Sequence, residues 1–429
     1  MTPATQELLE RRNRLLGPAY RLFYREPVHV VRGEGVWLYD AAGRKYLDMY
    51  NNVPHVGHCH PEVVAAMTEQ ARKLNTHTRY LHETVLDYAE RLTAKLPGEI
   101  DVAMFSCTGT EANELALRIA RTCTGGTGVV VTENAYHGNS QAISEITTEY
   151  NTPETRPPYV VTVPAPDVYR GPHRGDDAAE RYASSVSAAI ETLRRRDIQP
   201  AALVLDTIVS SDGVVSVPAG YLSRAAEIIR EAGGMFIADE VQPGFARTGR
   251  YFWGFEADGV VPDIVTMGKP MGNGHPLAAT ATRTDVIERF ASEVRYFNTF
   301  GGNPVSCAAG LAVLDVIEKE ELQRNATQVG DYLLDGLARL SSRFAAIGDV
   351  RGSGFFIAVE LVEDGDKRDP ATDYADEVVN RLRANGVLTN TIGRDENVIK
   401  LRPPMVFGRA DADYFLERFE RVLGGPGTR

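Results

Sequence analysis

The sequence predicts an α/β protein, a large domain built on a mostly parallel, doubly wound sheet with a smaller α+β domain beside it. Three observations carry this. Short apolar runs suited to strands buried on both faces, such as "MFIAD" (235–239), alternate with helical stretches such as "YLSRAAEIIREAG" (221–233) from about residue 61 onward. Ahead of them, "VHVVRGEGVWLYDAAGRKYLDMY" (28–50) breaks into short β-rich runs at Gly33, Gly35 and "DAAGR", the pattern of a small meander. Beyond about residue 310, long helical stretches give way to "VRGSGFFIAVELV" and "VIKLRPPMVF", which read as a sheet of their own. A length of 429 residues exceeds one core's comfortable size, and 43% hydrophobic residues suffice to bury more than one. The division expected is 1–60 for an N-terminal segment with the meander, 61–310 for the large domain and 311–429 for the C-terminal part. The first and last segments together make the small domain.

Taken in order, "PEVVAAMTEQARKL" is helical, "VAMFS" (102–106) a strand, "TEANELALRIAR" (110–121) a helix and "GVVVTE" (128–133) a strand. The rhythm continues through "AALVLD" (201–206), the helix at 221–233, the strand 235–239 and "DIVTM" (263–267). "LQRNATQVGDYLLDGLARL" is a long helix ahead of the C-terminal sheet. No internal repeat or low-complexity segment interrupts the pattern.

Composition excludes several function classes. With 58 acidic against 46 basic residues the net charge is −12, and no basic stripe suits nucleic acid or an anionic membrane. The N-terminal "MTPATQELLERRNRLL" lacks the apolar core of a secretory signal, and no run of eighteen apolar residues occurs, so a cytoplasmic protein is expected. Cys59, Cys107, Cys123 and Cys307 are too scattered for a disulfide framework and read as free thiols. "HVGHCHP" gathers His55, His58, Cys59 and His60 without a carboxylate or second cluster at ligand spacing, so no metal is expected.

In a doubly wound sheet, ligands sit outside the carboxyl ends of the strands, and four places there carry chemistry. After "VAMFS", Thr108, Gly109 and Thr110 open a helix whose free N–H groups suit a phosphate, although a capped helix start alone explains the same residues. After "GVVVTE" come Tyr136 and His137, where an aromatic either stacks on a flat ring or merely packs. Asp239 ends the strand "MFIAD", and a carboxylate buried there needs a cationic partner, which a protonated pyridine nitrogen supplies. Lys269 stands between Gly268 and Pro270, where desolvation leaves a lysine neutral enough to form a Schiff base. A P-loop is excluded, because its required glycine and Ser/Thr positions hold Asp263 and Pro270. Phosphate anchor, stacking aromatic, pyridinium partner and Schiff-base lysine together point to pyridoxal phosphate.

The chain resembles, over essentially its whole length, the class III aminotransferases of fold type I, and "IADEVQPGFARTGRYFWGFE" with "PDIVTMGKPMGNGHP" is a specific signature of that family. The resemblance implies that Lys269 holds the cofactor as a Schiff base, that Asp239 pairs with its ring nitrogen, that Gln242 bonds its ring hydroxyl and that Val241 packs on one ring face. It also implies that Tyr136 stacks on the other face, that His137 belongs to the cofactor site and that Gly109 and Thr110 bind the phosphate. Thr299, in "FNTFGGNP", is implied to reach the cofactor phosphate of a neighbouring subunit, which makes the active unit at least a homodimer and leaves a tetramer open.

Three departures indicate the branch. Relatives that transaminate usually carry Glu-Pro where this chain has Asp206-Thr207, the Glu often pairing with the arginine matching Arg402. Asn51 and Asn52 stand where such relatives more often have Gly and an aliphatic residue, and Arg11, Arg12, Arg14, Arg21 and Arg25 enrich the N-terminal segment. These resemble the phospho-lyases acting on phosphoethanolamine or phosphohydroxylysine, and imply a small phosphorylated amine as substrate, contacted by Arg21, Asn51, Asn52 and Arg402. The products from phosphoethanolamine are then acetaldehyde, ammonia and phosphate. The alternative is a class III ω-aminotransferase passing an amino group to pyruvate or glyoxylate.

Overall fold

The computed structural model describes residues 3–363 and 368–425. Its centre is a seven-stranded sheet in the order Val102–Ser106, Ala278–Thr282, Ile264–Met267, Met235–Asp239, Pro200–Asp206, Gly128–Thr132, Val160–Val163. Neighbours from Ile264–Met267 through Val160–Val163 pair in parallel. Ala278–Thr282 alone is reversed, pairing antiparallel with both of its neighbours. The carboxyl ends of the other six strands therefore share one edge, and every chemically notable position of the large domain follows one of them.

The strands are apolar along their length because both faces are covered. Val129 and Val131 pack with Leu115 and Ile119 of helix Gly109–Thr124, while Val130 and Leu203 face a core shared with helices Ala178–Arg195 and Tyr221–Glu231. The Gly109–Thr124 helix begins at a reciprocal cap: Thr108 Oγ1 accepts from Glu111 N at 3.2 Å, and Glu111 Oε2 accepts from Thr108 N at 3.0 Å. It stops at Gly125, whose φ of +71° lies in the left-handed region that glycine adopts without a steric cost.

The meander is Val30–Glu34, Trp37–Asp40 and Lys45–Asp48, and it takes Val387–Leu388 as a fourth, parallel strand. That pairing joins the N-terminal segment to the C-terminal part. A second four-stranded sheet runs Ile347–Ser353, Phe356–Leu361, Val398–Leu401, Asn390–Ile392. The boundary placed at 310/311 falls inside the continuous helix Pro304–Lys319. Among the described residues no helix is long and apolar enough to cross a membrane.

A buried ionic cluster fixes the small domain against the large one. Glu360 accepts from Arg351 Nη1 at 2.6 Å and also from Arg170. Arg351 in turn donates to the carbonyls of Val214 and Gly213, each at 2.8 Å, on the loop that follows Asp206.

Candidate active site

A cavity of about 190 Å³ opens at the carboxyl edge of the sheet, lined by Gly109, Thr110, Asn113, Tyr136, His137, Gly138, Asp206, Asp239, Val241, Gln242 and Lys269. Its anion end is the start of helix Gly109–Thr124. The cap uses the N–H groups of Cys107, Thr108 and Glu111, so those of Gly109 and Thr110 have no partner among the described residues. A Cβ at Gly109 would come within 2.8 Å of Val241 Cγ1, and one at Gly138 within 2.6 Å of Thr110 Oγ1. Both glycines thus keep the cradle narrow and open to a phosphate.

Asp239, only 4% exposed, is held on both oxygens. Oδ1 accepts from Val241 N at 3.1 Å, and Oδ2 accepts from Asn113 Nδ2 and lies beside His137 Nδ1, both at 2.8 Å. Asn113 is oriented in turn by Thr266 Oγ1 at 2.6 Å and by the His137 carbonyl at 2.7 Å. This carboxylate cannot rotate away from the cavity. His137 lines the same cavity with its Nδ1 committed to Asp239, and its buried Nε2 has no hydrogen-bond partner among the described residues.

Lys269 follows strand Ile264–Met267. Burial, reinforced by the nearby Arg402 charge and opposed by Asp239 and Asp206, brings its ammonium down to about 8. The amine is accordingly available near neutral pH. Asp206 is pushed the other way, upward, by burial and by the Asp239 charge. Its carboxylate turns back on its own loop, accepting from the N–H groups of Ile208 and Ser210, both at 3.1 Å, and from Ser210 Oγ. Asp206 therefore makes no ion pair with Arg402. Arg402 instead donates from Nη1 to Gln242 Oε1 and from Nε to the Tyr50 carbonyl at 3.0 Å. Gln242 Nε2 donates to Ser210 Oγ at 2.8 Å and keeps its second N–H for the cavity.

The cavity brings together Gly109, Thr110, Tyr136, His137, Asp239, Val241, Gln242 and Lys269. Arg402 reaches it through Gln242. Asn51, Asn52, Arg21 and Thr299 do not line it. Asn51 Oδ1 accepts from Val53 N at 3.1 Å, whereas the buried Asn52 Nδ2 has no partner among the described residues. Arg21 and Thr299 are exposed. Asn113 and Asp206 were not expected as lining groups. The three imidazoles of "HVGHCHP" have separate partners: His55 with Phe245 O and Arg247, His58 with Asp48, His60 with Glu320.

A phosphate cradle left open by two glycines, a fixed carboxylate facing the cavity and a desolvated lysine opposite it are the features pyridoxal phosphate requires, and the residues present fit that group.

Comparison with known proteins agrees with this geometry. The model of the family Aminotransferase class-III matches residues 23–423. An alanine–glyoxylate aminotransferase 2-like protein of Drosophila melanogaster is 44% identical over 97% of this chain and 87% of its own. An ethanolamine-phosphate phospho-lyase homolog of Caenorhabditis elegans is 38% identical over 97% and 93%. Among solved structures, a phospholyase from Arthrobacter in complex with phosphoethanolamine superposes with a TM-score of 0.94 at 43% identity, covering 97% of this chain and 99% of that one.

Proposed function

The chain belongs to the class III aminotransferases and takes pyridoxal 5'-phosphate as its cofactor, and on that premise we propose that it is a phospho-lyase releasing phosphate from phosphoethanolamine or a similar phosphorylated amine. The observation carrying this reading is the likeness, across nearly the whole chain, to the phosphoethanolamine-bound phospholyase.

When bound, the cofactor supplies an electron sink for the pair left on carbon after a proton is removed. The chain's residues do the rest. Gly109 and Thr110 N–H groups hold the cofactor phosphate, Val241 and Tyr136 confine the ring and Asp239 keeps a proton on the ring nitrogen. Lys269 Nζ, once free, takes the proton from the amine-bearing carbon of the substrate. With phosphate on the adjacent carbon, that electron pair expels it. Overall, phosphoethanolamine and water become acetaldehyde, ammonia and phosphate. Without such a leaving group, Lys269 returns the proton at a different carbon and the outcome is amino transfer, the reading favoured by the 44% identity to the Drosophila protein.

The active unit in this proposal is a homodimer, with Thr299 serving the neighbouring copy's cofactor phosphate. Exposed Tyr80, Leu81, Phe297 and Phe300, beside a cleft of about 750 Å³, support a covered face there.

The deciding experiment incubates the purified holoenzyme with phosphoethanolamine and follows two products: free phosphate, and alanine or glycine formed from pyruvate or glyoxylate. Rapid phosphate release without amino transfer supports the lyase. Fast keto-acid-dependent turnover with no phosphate release establishes the aminotransferase.

A further inference from the structure

Lys400 lies on strand Val398–Leu401 of the small domain, opposite Ala358 on one neighbouring strand and Asn390 on the other. It is 4% exposed. Lysine is almost never buried so deeply without a charged partner. Yet among the described residues no carboxylate comes within ion-pair distance of Nζ and no hydrogen bond reaches it. Its nearest ring is Phe356, 5.6 Å from Nζ to the centroid, and the Arg402 guanidinium lies 5.6 Å from the same ring.

The groups whose charge reaches Lys400 come from four elements. Arg402 stands just past the end of its strand, Lys269 and Asp206 line the cavity, and Glu149 lies on the short turn Thr148–Tyr150. On the paired strand Phe356–Leu361, Glu360 is already held by Arg170 and Arg351. Asp206 is committed to its own loop, and Asp239 to Asn113 and His137. Lys400 and Arg402 thus share the Phe356 ring, and Arg402 reaches the cavity through Gln242. Of the carboxylates named, Glu149 alone remains, and among the described residues it makes no ion pair with Lys400.

We propose that Lys400 Nζ is the cation that receives the phosphate of the substrate, an assignment that rests on the phospho-lyase reading. A lysine here serves a dianion better than an arginine does, because it can arrive uncharged. Burial, then the Arg402 charge, holds its ammonium well below the ordinary lysine value, so the empty site is spared a third unpaired cation. A phosphate dianion beside Nζ reverses that balance, and Lys400 takes a proton from solvent as the ligand binds. Substrate charge and lysine charge appear together.

The test uses holoenzyme and 2-aminoethylphosphonate, which keeps the amine and a dianionic head but has no C–O bond to break. Calorimetry in two buffers of different ionisation heat counts protons taken up on binding. The wild type is expected to take up protons with the phosphonate and fewer with β-alanine, whose head carries a single charge. Lys400→Met should lose that uptake and weaken phosphonate binding roughly ten- to a hundred-fold, with the cofactor absorption band retained. Lys400→Arg, permanently charged, should restore much of the affinity but not the uptake. Proton uptake unchanged in Lys400→Arg, or equal uptake for both ligands in the wild type, overturns the assignment even if Lys400→Met does not fold. If the wild type releases phosphate from phosphoethanolamine while Lys400→Met is equally active, Lys400 is wrong and the lyase stands. If the wild type neither binds the phosphonate nor releases phosphate, both fall.

Discussion

Nδ1 of His137 lies 2.8 Å from Oδ2 of Asp239, so the carboxylate that lines the cavity is itself gripped by a buried imidazole. Removing the charge and removing the grip should have different consequences. Asp239→Asn should cut turnover by several orders of magnitude, since each ~1.4 kcal/mol of lost carbanion stabilisation costs tenfold. His137→Phe leaves the charge but leaves Oδ2 held by Asn113 alone, and should cost roughly ten- to a hundred-fold. Steady-state kcat for the two variants checks the ranking, and near-normal Asp239→Asn turnover would remove that residue from the ring nitrogen.

Lys269→Ala should have no measurable turnover. The wild-type holoenzyme should be yellow and lose its visible band on borohydride reduction, while the variant's bound cofactor should not become covalently attached. Mass spectrometry of the reduced proteins distinguishes the two.

The Lys269 ammonium, at about 8, sets the pH at which apoprotein recaptures cofactor. Only the neutral amine is a nucleophile, so the recapture rate should rise with pH and level off above about 8. Arg402 is a like charge that lowers the Lys269 value, so Arg402→Met should move this limb to higher pH. A limb moving to lower pH, or not at all, contradicts the electrostatic origin.

Arg21→Ala and Asn52→Ala test the proposed contact of these residues with the substrate phosphate. Asn52 Nδ2 is a buried donor without a partner among the described residues, and a charge-assisted contact to a phosphate contributes ~1.5–3 kcal/mol. Each variant should therefore lower kcat/KM for phosphoethanolamine by roughly ten- to a hundred-fold with cofactor binding intact. An unaltered kcat/KM for either takes that residue out of the substrate site.

Glu360→Gln should destabilise the fold by ~1.5–3 kcal/mol, because the buried Arg351 and half-buried Arg170 each lose one carboxylate while keeping another, Asp349 and Asp395 respectively. Thermal unfolding of the apoprotein measures it. A loss no larger than that of an exposed ion pair would mean that water replaces the carboxylate.

Much of the cavity was legible because its residues follow apolar runs. "MFIAD" and "DIVTM" announce buried strands, and the polar residues just beyond them, Asp239 and Lys269, then stand at the ligand edge. Asn113 was not legible: it sits inside a helix whose periodicity is set by Leu115, Ala116 and Ile119, and nothing local distinguishes it from a surface amide. Lys400 escaped for a related reason. In "VIKLRPP" it reads as the outward residue of an alternating strand, and only the large domain packed against that face buries it. The direction of Ala278–Thr282 was also hidden, since alternating alanine and threonine specify a strand without specifying its sense.

That reversed strand governs the order in which the molecule can be assembled. Val102–Ser106 is at the sheet's margin and pairs there with Ala278–Thr282 alone, so the Val102↔Thr282 contact closes a loop of about 180 residues. During synthesis the helix start at Gly109 emerges early, yet the strand before it has no hydrogen-bonded neighbour until the ribosome has passed residue 282. Throughout that interval a row of unpaired backbone groups is open to other nascent chains. Lys269 emerges only shortly before the closing strand, so the lysine and completion of the sheet arrive at nearly the same moment of biosynthesis.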